Sequence, residues 1–312
     1  MSNSTTLAFE TPARALLDRF MRHRLAVASA IVLFVLVVLS LLAPVIETLL
    51  GVDAEAVDLF LRYAPSSPAH PLGTDELGRD VLVRLLYGGR VSLFVGLTAT
   101  IAAAIIGTAV GLGAGYAGGR IDALIMRVTD GVIALPVLPL LIVLAAVDLG
   151  KLGLSTSLLG SENLSLYRII AIVALVGWTT VARLVRASTL SLKTRPYILA
   201  ARAQGAGAMR IVLRHILPNL ASPIIVATTL SVGNVILLES VLSFLGLGIQ
   251  PPLPSWGNLL TGAQETIWES PGLAFYPGLL IFVTVIAFNF VGDGLQDALD
   301  PRARNRRAAD RH

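Results

Sequence analysis

Apolar residues gather along the chain in six long runs, separated by polar segments rich in proline, glycine and charge. The runs cover about Leu25 to Glu47, Val91 to Ala117, Gly131 to Leu149, Tyr167 to Val185, Leu220 to Leu242 and Phe275 to Leu295. Each holds roughly the 20 residues that a helix rising about 1.5 Å per residue needs to cross about 30 Å of hydrocarbon. Hydrocarbon cannot satisfy an open backbone, so the runs are predicted to be helices or the strands of a closed barrel. Barrel strands are shorter and alternate in polarity, and these runs do neither. The prediction is an all-α polytopic membrane protein of six spans. The first run follows a basic stretch, Arg14 to Arg24, and continues to Leu42. It is longer than the apolar core of a signal peptide and is read as a retained span.

The polar segments set the orientation. With the N-terminus placed in the cytoplasm, 18 of the 24 lysines and arginines fall on the cytoplasmic side. This excess of positive charge predicts that both termini are cytoplasmic. The division expected is a cytoplasmic segment 1–24, a six-helix domain 25–302 and a basic cytoplasmic tail 303–312.

Two loops stand out. Before the second run, Leu77, Val81, Leu82, Leu85 and Leu86 recur at helical spacing among Asp75, Glu76, Arg79, Asp80 and Arg84. This pattern predicts an amphipathic segment at the membrane surface. Between the fourth and fifth runs lies a basic cytoplasmic loop, 186–219. Within it Tyr197 to Ala203 and Ala208 to Ile216 read as short helices, broken by Gly205 and Gly207 and closed by Pro218. Such a loop either presents a helix to a partner or is simply solvated, and its pattern does not choose between the two.

Composition excludes several classes. Hydrophobic residues make up 55% of the chain and charged ones 14%, against about 25% charged in soluble domains. The net charge of +4 reflects basic residues flanking apolar runs, not a nucleic-acid interface. There is no cysteine, which removes disulfides and thiolate chemistry. The four histidines are too scattered for a metal-binding pair, so no metal site is expected. No phosphate-binding loop, G-x-S-x-G or H-E-x-x-H motif occurs. The chain is therefore expected to carry no catalytic site and no cofactor.

Within the spans, Gly107, Gly111, Gly115 and Gly119 at four-residue spacing predict close helix packing. The same run matches the dinucleotide fingerprint formally, but it lacks the βαβ context which that motif requires. Pro136 and Pro139 in the third run and Pro223 in the fifth predict kinks. The polar groups at membrane depth are Asn234 and Glu239 in the fifth run, and Asn289 and Asp293 in the sixth. They are candidates for the wall of a translocation path. Glu239 and Asp293 lie near the ends of their runs, so a place near the lipid headgroups is equally open to them. Asn234 could instead bond to a neighbouring helix.

The cytoplasmic loop, Tyr197-Ile-Leu-Ala200-Ala201-Arg-Ala-Gln-Gly205 and then His215-Ile-Leu217-Pro218-Asn219, resembles the EAA loop of binding-protein-dependent ABC permeases. Leu199 stands where that family usually has glutamate. Further stretches are similar to the second permease subunit of the dipeptide, oligopeptide and nickel importers. These are His70-Pro-Leu-Gly73-Thr-Asp75-Glu-Leu-Gly78-Arg79-Asp80 with Tyr87-Gly-Gly-Arg90-Val-Ser-Leu, and Glu239-Ser-Val-Leu-Ser-Phe-Leu-Gly246 with Ser255-Trp256-Gly257. The terminal Asn289-Phe-Val-Gly292-Asp293-Gly294-Leu-Gln296-Asp297 stretch also fits, with Gln296 where relatives often have arginine. The resemblance runs from about residue 18 to 302.

What the resemblance implies is a plasma (inner) membrane permease subunit of an ATP-driven importer, carrying di- or oligopeptides, or else nickel, glutathione or another small solute. Its partners would be a second homologous permease, two P-loop ATPase subunits holding ATP and Mg2+, and an extracytoplasmic substrate-binding protein. Coupling to the ATPases would fall to Ala200, Ala201, Arg202, Gly205, Ala206, Gly207, Met209, Arg210 and Leu213. An ion-coupled secondary transporter would leave the basic loop without a use and would favour inverted repeats, of which none is evident. A scaffold or receptor would not need polar groups within the fifth and sixth runs.

Overall fold

The computed structural model describes residues 12–147 and 163–299, and these are almost wholly helical. The helices are α1 (Pro12–Arg22), α2 (Arg24–Leu41), α3 (Ala43–Leu50), α4 (Val81–Ala117), α5 (Gly119–Ala134), α6 (Val137–Ala146), α7 (Leu164–Leu192), α8 (Pro196–Ala203), α9 (Ala208–Phe244), α10 (Ala263–Thr266) and α11 (Gly272–Leu299). Five are long and apolar enough to cross a membrane: α2, α4, α7, α9 and α11. The pair α5 and α6, bent by 88° at its break, makes a sixth if counted as one broken span.

The expected third span is thus divided and displaced. A helix begins at Gly119, ends at Ala134, and restarts past Pro136. Leu135 is extended, at φ −74° and ψ 137°, as the ring of a following proline enforces. The end of the expected span, 148–149, lies outside the described residues, as do Lys151 and the basic tail 303–312.

Three other expectations need correction. The segment before the second run is not a separate surface helix. Residues from Val81 onward form the first turns of α4, which runs unbroken for 37 residues, and Leu77 to Asp80 form a loop ahead of it. Gly88 and Gly89 do not break α4 because the buried Trp256 packs against both. Pro218 likewise does not close a helix. A π-helical turn at Val212–Ile216, in which Leu217 N–H bonds to Val212 O, carries the chain past the proline into the fifth span. Finally, Gly119 does not extend the packing stripe. It follows Gly118 in a positive-φ turn that starts α5, and its surroundings are open.

The rest of the stripe sits at the centre of the bundle. A β-carbon at Gly107 or Gly111 would come within 2.5 Å of the α7 carbonyls of Trp178 and Ala182, and one at Gly115 within 2.8 Å of Thr189. Without those carbons α4 and α7 lie backbone to backbone from Gly107 to Gly115, and dispersion acts along that stretch. Side chains of α4, α6, α7 and α9 then close a buried core around Val95, Leu141, Ile169, Val173 and Leu242. Helix α11 packs on α9 and α2. At its far end α1 is tied to it through Arg19 Nη1, which donates to Ala298 O at 3.3 Å.

Candidate coupling surface and translocation wall

The loop between α7 and α9 stands at the end of the bundle where α4 terminates. Lys193 Nζ donates to Gly115 O at 2.8 Å, which fixes the exit from α7. Pro196 then occupies the first turn of α8, a position where its missing N–H costs nothing. The helix ends in a complete Schellman motif: Gly205 N–H bonds to Arg202 O at 2.9 Å and Ala206 N–H to Ala201 O at 3.0 Å. Gly205 takes φ +82° there, a left-handed conformation that a side chain would disfavour.

Apolar residues in this loop divide into two sets. Ile198, Ile211 and Ile216 are buried against Leu112, Val181, Val185 and Leu220, and anchor the loop to the bundle. Tyr197, Leu199, Met209 and Leu213 are 45%, 51%, 71% and 55% exposed. Ala200, Gly205, Gly207 and Arg210 are exposed beside them, with Arg202 close by, while Ala201 and Ala206 are half-buried. Arg202 stacks its guanidinium over the Tyr116 ring at 5.3 Å, so it is partly engaged by its own chain. The outcome is an apolar patch rimmed by cations on a braced loop.

That brace includes ion pairs which the sequence reading missed. Arg186 Nε and Nη2 donate to Asp122 Oδ1 and Oδ2 at 2.5 and 2.7 Å, and Arg183 pairs with Asp130. Both join α5 to α7. Arg183 and Arg186 counted only toward orientation in the sequence; the spacing of Asp122 and Asp130 along one helix was the available signal.

At the other end of the bundle, three motifs quoted from the sequence converge. Ser92 of α4 donates to Glu239 Oε2 at 3.2 Å and accepts Trp256 N–H at 3.1 Å. Ser243 donates to Glu239 Oε1 at 2.7 Å and accepts Ile249 N–H at 3.1 Å. Trp256 Nε1 donates to Leu85 O at 3.0 Å. Glu239 is 0% exposed, so it faces hydroxyls inside the protein rather than a headgroup or open space. Nearby, Asp80 caps α4 through Val83 N–H at 2.8 Å and holds His70 Nδ1 at 3.0 Å.

The four candidate path residues are not gathered together. Asn234 lines a cavity of about 280 Å³ beside the α5–α6 break, together with Thr100, Thr180, Ser231 and the apolar Val137, Leu141 and Leu238. Asn289 is exposed on α11 and donates to its own helix at Val285 O, 2.9 Å away, and Asp293 is exposed one turn on. The cavity holds hydroxyls and an amide but no charged group. Thr100, Thr180 and Ser231 carried no sequence signal that set them apart from other small polar residues in spans.

These features define a class: a multi-pass helical membrane protein with a packed bundle, an exposed basic loop at one end and, between spans, a largely apolar cavity that holds a few hydroxyls and an amide. Residues 107–305 match the family model of the binding-protein-dependent transport system inner membrane component. Residues 11–58 match the N-terminal transmembrane domain of oligopeptide transport permease C. The chain belongs to the first of these families and is a permease subunit of an ABC importer, an inner-membrane protein. It is 40% identical over 297 residues to the glutathione transport system permease protein GsiD of Pectobacterium atrosepticum, covering 95% of this chain and 93% of that one. It is 41% identical over 287 residues to the dipeptide transport system permease protein DppC of Bacillus subtilis, covering 92% and 84%. It is 40% identical over 287 residues to the oligopeptide transport system permease protein OppC of Escherichia coli, covering 92% and 90%. Among solved structures, the inward-facing MetNI methionine ABC transporter matches with a TM-score of 0.54 at 19% identity, over 69% of this chain and 96% of that one. That likeness concerns the fold alone.

Proposed function

We propose that the chain forms half of the translocation path of a peptide importer, pairs with a second, different permease, and has no catalytic site of its own. Two ATPase subunits bind ATP and Mg2+ and hydrolyse the nucleotide, and an extracytoplasmic binding protein delivers the substrate. Both termini and the α8 loop face the cytoplasm. Relatives bearing dipeptide and oligopeptide names at 36–41% identity support the substrate class. The relative named for glutathione, itself a tripeptide, favours a second reading in which glutathione is carried. A path lined by Asn234, Thr100 and Ser231 suits either, since neutral hydrogen-bonding groups do not select among side chains by charge.

Coupling is assigned to Ala200–Leu213. The observation that carries it is the division of that loop into buried isoleucines and an exposed set of Leu199, Met209 and Leu213. A stretch that is both rigidly held and apolar on its open side transmits motion to whatever covers it. The chain has no cysteine, so Met209→Cys gives a single labelling site. In the assembled complex it should cross-link to an ATPase subunit, with a yield that changes on ATP binding. Cross-links only to lipid, or none in a complex that still transports, would refute the assignment. Uptake of labelled dipeptide against labelled glutathione in proteoliposomes then decides between the two substrates.

A further inference from the structure

Arg84, one turn into α4, takes no part in the function above. It is 7% exposed, and its Nε has no hydrogen-bond partner. The nearby carboxylate, Asp75, has Oδ2 3.4 Å from Arg84 Nε, but the same oxygen takes Arg79 at 2.8 Å. Oδ1 of Asp75 already accepts the N–H groups of Leu77 and Arg79. Two guanidinium groups therefore share one carboxylate that is otherwise engaged; Glu76, half-exposed, reaches only Arg79, at 3.4 Å. A buried cation without a full partner is costly, so the surroundings of Arg84 call for an anion.

Arg84 lines a cleft of about 670 Å³ between the end of α2, α3 and the first half of α4, closed on a further side by Leu166 at the start of α7 and by Pro252 to Pro254. Arg90 and Tyr87 stand on the same wall, with Arg90 stacked over the Tyr87 ring at 5.7 Å. Glu47, Asp53 and Glu55 also line the cleft. Glu47 is fixed by Tyr87 OH at 2.5 Å and Ala54 N–H at 2.7 Å. No salt bridge joins these carboxylates to Arg84 or Arg90 among the described residues. The cleft thus holds both signs of charge side by side, with Arg84 only sharing Asp75 with Arg79 and Arg90 in no ion pair among the described residues.

Further along the two helices the wall turns apolar. Phe94 and Leu97 follow Arg90 on α4, and Val37 and Leu41 line the α2 side; their exposures are 48%, 39%, 37% and 62%. Both helices are membrane-spanning by length and composition. Charge at the helix ends giving way to exposed hydrocarbon toward the middle is the polarity profile of one leaflet.

We infer that this cleft binds an aminophospholipid, with its phosphate toward Arg84 and Arg90, its ammonium toward Glu47, Asp53 and Glu55, and an acyl chain along Phe94 and Leu97. A peptide carries both charges too, but it has no use for a wall that continues as exposed hydrocarbon-facing side chains.

The test uses the assembled transporter, delipidated in detergent and titrated with defined lipids under native mass spectrometry. Phosphatidylethanolamine should be retained in preference to phosphatidylglycerol, which lacks the ammonium, and to phosphatidylcholine, whose quaternary nitrogen has no N–H. Arg84→Gln should weaken retention about tenfold or more, the scale of one lost charge-assisted contact. Arg90→Gln, at an exposed position, should act in the same direction without a folding defect. Equal retention of the three lipids, or unchanged retention in an intact Arg90→Gln complex, would overturn the proposal. Displacement of phosphatidylethanolamine by dipeptide at matched occupancy would also overturn it and assign the cleft to substrate.

Discussion

Ser92 and Glu239, 147 positions apart, are joined by a 3.2 Å hydrogen bond at a point where neither has any exposed surface. The bond ties α4 to α9, and through the amide of Trp256 it ties both to the loop that follows α9. A carboxyl group this deep is tolerated because hydroxyl donors surround it.

Glu239→Ala should therefore destabilise the subunit by roughly 2–4 kcal/mol, since it leaves Ser92 and Ser243 without their acceptor and opens a cavity. Glu239→Gln retains one carbonyl acceptor and should cost under about 1.5 kcal/mol. Thermal unfolding of the purified complex in detergent distinguishes the two; equal losses would mean that shape, not hydrogen bonding, governs the site.

Gly111 and Gly113, two residues apart on α4, should respond in opposite ways. Gly111→Leu drives a side chain into the Ala182 carbonyl and should cost more than about 3 kcal/mol, or prevent assembly. Gly113 has nothing within 4 Å of a β-carbon, so Gly113→Ala should be neutral or stabilise by up to about 1 kcal/mol through helix propensity. Expression level and resistance to thermal aggregation report both.

Gly205→Val should strain the left-handed turn by about 1–2 kcal/mol. The space around Gly205 is open, so insertion should stay normal while ATP-driven uptake falls steeply. Normal uptake with a normal membrane level would count against the role of the α8 loop in coupling.

Asp122→Asn breaks the two-pronged contact with Arg186. Because Arg186 is 33% exposed, the loss should be modest, about 1 kcal/mol, and smaller still at high salt. Exchanging the two residues should restore part of it, which a double-mutant cycle on the melting temperature measures.

Much of the architecture was legible because lipid imposes a coarse rule. An apolar run of about 20 residues has few alternatives to a helix, and four of the six expected runs lie within unbroken helices, while the first is interrupted at Leu42, between α2 and α3, and the third at Leu135 and Pro136. The glycines at 107, 111 and 115 announced a close helix pair for the same reason: in lipid, only backbone proximity and polar contacts hold helices together. The helix–glycine–helix form of the loop between α7 and α9 was legible from Gly205 and Gly207. The places of the polar residues in the spans were less so. Glu239 looked like the others, yet it lies inside a serine cage, while Asn234 lines a cavity.

The sequence by itself determined the class, the number of apolar runs, the close-packing stripe and the position of the glycine-broken loop, because each rests on local periodicity or on residue types a few positions apart. Only the tertiary structure decided that α4 and α9 extend far beyond their apolar runs, that Pro136 turns its span through 88°, and that Ser92, Glu239 and Trp256 meet. Those outcomes depend on partners supplied from distant parts of the chain. Trp256 lets Gly88 and Gly89 continue a helix, and Ser92 makes a buried carboxyl group tolerable; neither partner is visible from the residues it supports.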